Sequence, residues 1–321
     1  MDNFDVILTN LLSPTILAFL LGAIATLIKS DLRLPENIYN ALSIYLLLAI
    51  GLKGGVELSQ TSFNVFIGPG LLTLFMGVIT PIIAYNILRR AGNFDRFNAA
   101  AVGAHYGSVS AVTFIVAVTF GDMTGHPSEG FMPALVAMLE VPAIIVGLMI
   151  AFVRGKRAGS WQDSMHEVVT GKSVVLLVGG LLIGMASGKQ GFESVKPFFD
   201  TGFMGALTLF LMQMGIIAAQ RVKDLKQVGL FLIAFGILVP IFHGFLAIWL
   251  ASFVGMSLGG SAVFGAMVSS ASYIAAPAAV RIALPEANPI YYITSSLGIT
   301  FPFNLILGIP LYFWFAEWLM M

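Results

Sequence analysis

The chain has 321 residues, of which 58% are hydrophobic and only 10% are Asp, Glu, Lys or Arg. A soluble domain carries about 25% charged residues, so these few charges cannot cover a soluble surface of this size. A formal net charge of zero argues against a nucleic-acid partner, which needs a basic surface. The absence of cysteine excludes disulfides, thiolate metal sites and a cysteine nucleophile. The composition therefore predicts an integral membrane protein.

Ten segments are apolar enough to span a membrane as helices, although the sixth is shorter than the roughly 20 residues usually needed. Their apolar runs are continuous rather than alternating, which favours helices over a β-barrel. The first is not predicted to be a cleaved signal peptide, because acidic Asp2 and Asp5 precede it without any Lys or Arg. The predicted spans are 6–28, 38–58, 63–88, 97–119, 131–153, 172–187, 203–220, 227–254, 260–282 and 290–318.

Basic residues are distributed unequally between the two sides of such a chain. Thirteen of the 16 fall on one side, whereas Lys53, Lys189 and Lys196 fall on the other. The positive-inside rule predicts that the first side is cytoplasmic, which places both termini outside the cell and the linker 154–171 in the cytoplasm. The thirteen are Lys29, Arg33, Arg89, Arg90, Arg96, Arg154, Lys156, Arg157, Lys172, Arg221, Lys223, Lys226 and Arg281.

The two halves of the chain resemble each other at a nearly constant offset. Each half contains five spans, an odd number, so the second half is predicted to be inverted in the membrane. Inverted repeats with broken helices that meet at the midplane are an architecture of secondary transporters; the alternative is a helical protein with chance Gly and Pro matches. The predicted division is 1–153, a linker 154–171 and 172–321. The matched pairs are Gly51 with Gly215, Pro81 with Pro240, Gly103 with Gly265 and Pro142 with Pro302.

Small and hydroxyl residues interrupt the fourth and ninth spans at matching positions. The fourth contains residues 107–110, Gly-Ser-Val-Ser, and the ninth contains residues 270–273, Ser-Ala-Ser-Tyr, followed by Pro277. Gly and Pro weaken a helix, and Ser offers both donor and acceptor groups. Unwound backbone at membrane depth is tolerated inside the protein or along a cavity, and half-helix N-termini attract anions. We therefore predict a pocket at two crossed breaks; the alternative is close helix packing through small residues.

Glu140 lies in the middle of the fifth span, where a carboxylate is costly and is a functional candidate by default. It is predicted either to bind a cation or carry a proton, or to form a structural hydrogen bond to a broken helix. His243 is predicted to be a structural hydrogen bonder, and Lys53 to extend toward the membrane interface. The pair Ser13-Pro14 is predicted to kink the first span or to supply a ligand. Further polar candidates are Asn10, Thr113, Gln213 and Asn304.

No nucleotide-binding, zinc-protease or serine-hydrolase motif is present in the sequence. His105 and Ser108 are three residues apart, but no third group is apparent that would orient them. Without an ATP site, transport must run on an ion gradient or as passive flow. We therefore predict a protein that is not an enzyme and that uses no cofactor beyond a coupling ion.

At these residues the sequence resembles the sodium-dependent bicarbonate transporter (SbtA-like) family, known from cyanobacteria and other bacteria. The resemblance covers nearly the whole chain. Several short stretches show the resemblance. Together, in this order and spacing, they are fairly specific, whereas each stretch alone is not. These stretches are 13–22, 50–55, 107–110, 140–143, 240–245, 257–260 and 284–289, followed by Ser295 and Ser296.

The resemblance implies ten helices in two inverted five-helix repeats, a homotrimer, and elevator-like movement of a core domain against a gate domain. It also implies that bicarbonate and Na⁺ bind where the two broken helices cross. The implied substrate-binding residues are Gly107, Ser108, Val109, Ser110, Ser270, Ala271, Ser272 and Tyr273. The implied ion-coupling residues are Ser110, Ser270, Ser272 and Glu140.

Three features depart from the pattern of this family. Tyr273 stands where the family has an acidic residue, Ala111-Val112 stands where a Gly-Ser pair is expected, and the linker 154–171 is short. The leading hypothesis is uptake of bicarbonate, or a similar small anion, by Na⁺ symport across the cytoplasmic membrane. The change at Tyr273 motivates an alternative, in which Glu140 couples another small carboxylate to protons, and a passive anion channel is a further one. Cyanobacterial members bind a PII-like regulator, and the short linker weighs against that partner here.

Overall fold

The computed structural model describes residues 11–152 and 161–320, and within these ranges all regular structure is helical. Seven helical stretches in this part of the chain are long and apolar enough to span a membrane. They are Glu36–Gln60, Phe63–Arg90, Arg96–Thr124, Met132–Ala151, Lys172–Glu193, Pro197–Ala251 and Pro289–Met320. Pro14–Leu27 and Leu258–Val268 are shorter apolar helices. The all-helical membrane class is therefore confirmed, whereas ten spans, inverted repeats and an elevator stay predictions.

We number the helices in chain order. The first half contains α1 (Pro14–Leu27), α2 (Glu36–Gln60), α3 (Phe63–Arg90), α4 (Arg96–Gly107), α5 (Ala111–Thr124) and α6 (Met132–Phe152). The second contains α7 (Trp161–Thr170), α8 (Lys172–Glu193), α9 (Phe203–Gln220), α10 (Leu225–Ala251), α11 (Leu258–Val268), α12 (Ala276–Ala283) and α13 (Pro289–Met320). Two π-helical segments, Thr294–Thr300 and Asn304–Gly308, interrupt α13.

The longest apolar stretch, Pro197–Ala251, contains two helices. Its 55 residues would extend about 80 Å as one straight helix, against about 30 Å for the hydrocarbon core of a bilayer. The 3₁₀ turn Arg221–Asp224 separates α9 from α10, and Gly229 leaves the helical conformation with φ 75°, which glycine adopts without strain. This stretch therefore has the length for the seventh and eighth predicted spans.

One prediction at the start of the first span needs correction. Ser13 and Pro14 do not kink a helix: the Ser13 hydroxyl accepts from the Ile16 N–H at 3.4 Å and caps α1, in which Pro14 is the first residue. The cap suits this pair because proline is well tolerated in the first helical turn. Asn10, residues 1–9 and residues 153–160 lie outside the described part of the chain.

The linker 154–171 is not only a polar connection, because α7 forms in it and packs against α12. Ser164 and Val168 are buried at this contact, and Asp163 lies on the same helix in its first turn, where a carboxylate is favoured. The linker therefore contacts the second half of the interrupted ninth span directly.

Helices α2 and α8 approach each other through glycines. Gly51 and Gly55 on α2 face Gly180 and Gly184 on α8, and a Cβ at Gly184 would lie only 2.2 Å from the carbonyl oxygen of Leu52. Small residues spaced by four let helix backbones pack closely in a membrane. The two helices can therefore pack this closely only because glycine has no side chain.

Helices α1 and α9 meet in the same manner. A Cβ at Gly22 would lie 2.0 Å from the Met212 carbonyl oxygen, and a Cβ at Gly215 would lie 1.9 Å from that of Phe19. Gly215 is the residue that the sequence repeat pairs with Gly51. The two paired glycines thus serve equivalent contacts, α9 with α1 and α2 with α8.

Two clusters of buried apolar side chains fill the interior. The first draws mainly on α2, α5, α6, α9, α11 and α13, and the other on α3, α4, α6, α10, α12 and the first part of α13. Val109, in the break of the fourth predicted span, belongs to the first cluster, and Ala271, in the break of the ninth, belongs to the second. The two breaks therefore lie where the clusters adjoin.

Candidate functional site

The fourth predicted span is interrupted in the structure as the sequence predicts. Helix α4 ends at Gly107, α5 begins at Ala111, and residues 108–110 connect them without helical structure. Ser110 caps α5, because its hydroxyl accepts from the Thr113 N–H at 3.1 Å. A serine cap satisfies one of the donors that a helix N-terminus otherwise leaves free.

The first break is held by α3 and α6. A Cβ at Gly107 would lie 2.6 Å from Cδ of Pro81 in α3, so only glycine fits this contact without movement. The Ser108 hydroxyl donates to the main-chain carbonyl of Glu140 in α6 at 3.3 Å. Both neighbours come from helices with an internal proline.

The ninth predicted span is also interrupted, between α11 and α12, over residues 269–275. The Ser270 hydroxyl donates to the Met267 carbonyl at 2.6 Å, which satisfies an acceptor at the end of α11. The Ser272 hydroxyl accepts from the Ala276 N–H at 3.2 Å, at the start of α12. The serines of this break therefore replace helical hydrogen bonds that the unwound backbone lacks.

Two hydrogen bonds join the two breaks directly, and a third joins the second break to the last turn of α4. The Ser110 N–H donates to the Ser270 hydroxyl at 2.8 Å, and the Ser110 hydroxyl donates to the Tyr273 hydroxyl at 3.1 Å. The Ser272 N–H donates to the His105 carbonyl at 2.9 Å. The structure thus brings the predicted substrate-binding residues of both breaks together, and all except Tyr273 are buried: Gly107, Ser108, Val109, Ser110, Ser270, Ala271 and Ser272.

The Ser110 hydroxyl accepts one hydrogen bond and donates another. The Thr113 N–H donates to the Ser110 hydroxyl, which donates to the Tyr273 hydroxyl. The Tyr273 hydroxyl hydrogen is therefore free to donate to a further group. Its ring packs edge-on against Phe301, with centroids 5.1 Å apart, which positions the hydroxyl beside the first break.

Asn304 and Tyr312 of α13 support the second break. The Asn304 amide donates to the Ser269 carbonyl at 3.2 Å, and its carbonyl accepts from the Tyr312 hydroxyl at 3.0 Å. The sequence identifies Asn304 as a polar candidate inside an apolar span, whereas it does not single out Tyr312. Asn304 starts a π-helical segment, a distortion frequent at functional sites.

A second missed contact joins α13 to the first break. The Thr300 hydroxyl donates to the Gly236 carbonyl at 2.7 Å, so it accepts from the Tyr106 hydroxyl, also at 2.7 Å. Tyr106 immediately precedes Gly107 in α4. The only sequence signal for this contact is a tyrosine beside the predicted break and a threonine two residues before Pro302.

Several buried polar atoms near the breaks have no hydrogen-bond partner in the described residues. Thr113 Oγ1, in the first turn of α5, and His105 Nε2, in the last turn of α4, are two of them. An unsatisfied buried polar atom costs about 1–3 kcal/mol, so these atoms favour a bound polar species. His243 was predicted to be a structural hydrogen bonder, but its Nε2 likewise has no partner in this part of the chain.

Glu140 contacts the first break only through its main chain. Its carboxyl group, which is buried, lies within hydrogen-bonding reach of the Ser173 hydroxyl at the start of α8. Its Oε2 has no partner among the described residues. The structure therefore places the Glu140 carboxylate apart from the side chains that join at the crossing.

Two other polar candidates have contacts away from the crossing. The Gln213 side-chain carbonyl accepts from the Leu34 N–H at 2.9 Å, which is a structural role at the start of α2. Lys53 does not extend freely toward an interface: it lines a cleft and forms an ion pair with Asp200.

The crossing offers groups for an anion and for a small cation. Helix α5 begins directly after the first break and α12 directly after the second, and helix N-termini favour negative charge. Hydroxyl and carbonyl oxygens of the breaks are the hard ligands that a cation such as Na⁺ accepts. In the described residues no three His, Asp or Glu side chains gather around a common point.

The fold and this site define a helical, multi-pass membrane protein with a buried polar crossing between two interrupted helices. The sequence matches the model of the Na⁺-dependent bicarbonate transporter superfamily over residues 14–317, from the start of α1 nearly to the end of α13. The chain belongs to this superfamily, which confirms the resemblance noted from its motifs. No curated protein matches the sequence at a significant level. The homotrimer, the PII-like partner and the membrane orientation stay predictions.

Proposed function

We propose that the protein takes up bicarbonate, or a similarly small anion, across the cytoplasmic membrane together with Na⁺. Membership of the superfamily supports bicarbonate and Na⁺ as the transported solutes. The observation that supports the site is that Ser110 of the first break bonds directly to Ser270 and Tyr273 of the second, while Ser272 bonds to His105 at the end of α4.

The anion is held by hydrogen-bond donors at the start of α5 and by the Tyr273 hydroxyl. The Tyr273 hydrogen has no acceptor within its own hydrogen-bond chain, because Ser110 already donates to this oxygen. A tyrosine donates to an anion without carrying a negative charge, as an acidic residue would. Tyr273 at this position therefore favours binding of the anion more directly than a carboxylate does.

Na⁺ makes the loaded site neutral before it moves. An isolated charge at the bilayer centre is costly, and a cation next to the anion lowers that cost for both. Hydroxyl oxygens of Ser110, Ser270 and Ser272, with Thr113 Oγ1, are the ligands that we assign to Na⁺. Thr113 Oγ1 is buried and has no hydrogen-bond partner among the described residues, so its lone pairs are available to an ion.

The test is uptake of labelled bicarbonate by purified protein in liposomes. We expect faster uptake with an inward Na⁺ gradient than with equal Na⁺ on both sides or with an inward K⁺ gradient. Accumulation above equilibrium excludes a passive channel. If folded protein takes up no bicarbonate with any cation gradient, the proposed function is wrong.

Proton coupling through Glu140 is the second candidate, because this carboxyl is buried with one oxygen unpartnered. If Na⁺ is the coupling ion, Glu140→Gln should keep Na⁺-driven uptake within about threefold, since the amide retains a group of the same size that can bond to Ser173. Loss of more than tenfold, with proton-driven uptake by the unmodified protein, would favour proton coupling. Ser173→Ala is the control for a purely structural role, because it removes the same contact and leaves the carboxyl in place.

A further inference from the structure

A cleft of about 900 Å³ opens between α2, α5 and the ends of α6, α8 and α9. Lys53, Lys189 and Lys196 all line it, and these are the three basic residues that the sequence places on the extracytoplasmic side. Its buried lining side chains include Ile50 and Phe114, which belong to α2 and α5, and we take these two as its floor. The cleft is therefore a route from that side into the protein.

The cleft ends one helical turn from the first break. The Phe114 N–H donates to the main-chain carbonyl of Ser110 at 3.0 Å, so its floor and the candidate site share the first turn of α5. A solute that reaches Phe114 is therefore one helical turn of α5 away from the crossing.

Lys53 is one helical turn from Ile50 on the same helix, which places it between the floor and the mouth of the cleft. Its ammonium group forms an ion pair with Asp200, on the turn before α9, and lies 5.2 Å from the centre of the Phe203 ring. Asp122, at the end of α5, also interacts electrostatically with it. Lys53 thus links α2 to both neighbouring walls of the cleft.

The ion pair of Lys53 with Asp200 is weak enough to exchange. The two side chains are 37% and 39% exposed, and ion pairs of this exposure contribute little to stability. Contact with the Phe203 ring attracts the ammonium group as well and keeps it in place when its partner leaves. An anion that reaches Lys53 can therefore replace the Asp200 carboxylate.

Most of the charged side chains that line the cleft are acidic, which sets Lys53 apart as a position for an anion. Five acidic side chains line it against three lysines, so the cleft as a whole repels anions. Lys196 is paired with Glu193 at 3.1 Å and lies nearer the surface. An anion crossing this acidic cleft needs a cationic position within it, and Lys53 provides one close to the floor.

We propose that Lys53 is the first binding position for the transported anion, and that Asp200 occupies this position until an anion displaces it. This inference rests on the proposed function. It assigns the anion specificity of the access route to a residue outside the crossing of the broken helices.

The test compares KM for bicarbonate in liposomes under a fixed inward Na⁺ gradient. Lys53→Gln should raise KM by about tenfold, because a charge-assisted contact contributes about 1.5–3 kcal/mol and 1.4 kcal/mol is a factor of ten. Asp200→Asn should lower KM by about two- to fivefold, since it removes the competing carboxylate. The maximum rate should change by less than about twofold in both variants, because the crossing is intact.

The matched control is Lys189→Gln, which removes the same charge from the same cleft. We expect its KM to stay within about twofold of the unmodified protein, and Lys53→Arg to keep most of the affinity. Lys53→Met, which keeps the packing on Phe203, is the second variant if Lys53→Gln does not purify as a single species.

Equal shifts in KM for the Lys53 and Lys189 variants would overturn the inference, and so would a raised KM for Asp200→Asn. If the unmodified protein transports bicarbonate and Lys53→Gln leaves KM unchanged, this inference alone is wrong. If the unmodified protein transports none, the proposed function fails and the inference fails with it.

Discussion

Replacing Ser110 by alanine should lower bicarbonate uptake by about 10- to 100-fold in protein that remains folded. The hydroxyl caps α5 by accepting from the Thr113 N–H, and it donates to Tyr273. Loss of a helix cap costs about 1 kcal/mol, and loss of a further hydrogen bond costs about as much. About 2 kcal/mol at the position where the two breaks join corresponds to roughly a 30-fold change.

Ser257→Ala is the matched control for this prediction. The Ser257 hydroxyl caps α11 by accepting from the Gly260 N–H at 3.0 Å, so the change in chemistry and in local role is the same. Because Ser257 lies at the opposite end of α11 from the second break, its uptake rate should stay within about twofold of normal. An equal loss in both variants would mean that uptake tracks helix stability, and the role of Ser110 in the site would be refuted.

Tyr273→Phe separates the two partners of Ser110. It removes the phenolic hydroxyl and leaves the cap of α5 in place. We expect a loss of uptake of about three- to tenfold, smaller than for Ser110→Ala, because one hydrogen bond of about 1 kcal/mol is removed. Initial rates at low and saturating bicarbonate give the measurement, and the double variant shows how strongly the two residues are coupled.

The breaks of the two interrupted helices could be predicted from the sequence because their causes are local. Gly107 must be small to fit against Pro81, and serines within three or four residues of a helix end can replace the missing backbone bonds. These requirements leave a recognisable run of small and hydroxyl residues in an apolar segment. The same locality explains why the partial match between the halves of the chain identifies the same positions.

The partners of the breaks could not be predicted, because they come from distant helices. Asn304 reaches Ser269, and Thr300 reaches Tyr106 across 194 positions of the chain. A polar residue in an apolar span is conspicuous, but the sequence does not say which neighbour it faces. That depends on how α13 is rotated, and its two π-helical segments change this rotation from the regular 100° per residue.

Glu140 and Lys53 show the same limit for charged residues. The sequence identifies both as unusual because they interrupt apolar runs. It does not reveal that the Glu140 carboxyl turns toward Ser173 while its main chain meets Ser108. Nor does it reveal that Lys53 faces Asp200, since the two residues are brought together only by the packing of α2 beside the start of α9.

The glycine contact of α2 with α8 yields the prediction with the largest effect on stability. Gly184→Ala should lower the stability of the protein by on the order of 1–3 kcal/mol or more, the usual cost of overpacking. The added Cβ would lie 2.2 Å from the Leu52 carbonyl oxygen and 3.0 Å from Cα of Gly55. These are backbone atoms, so the helices must separate along their length, whereas a flexible side chain could move aside.

Gly179→Ala is a control on the same helix, and we expect it to leave the stability unchanged or to raise it. A Cβ at Gly179 would meet nothing within 4 Å in the described structure, and alanine is favoured over glycine in a helix by about 1 kcal/mol. The melting temperature in detergent should therefore fall for Gly184→Ala and stay unchanged or rise for Gly179→Ala. If both variants melted at the same temperature, close backbone contact would not be what holds α2 against α8. Because Lys53 lies between Gly51 and Gly55 on the same helix, separation of this pair should also disturb the cleft.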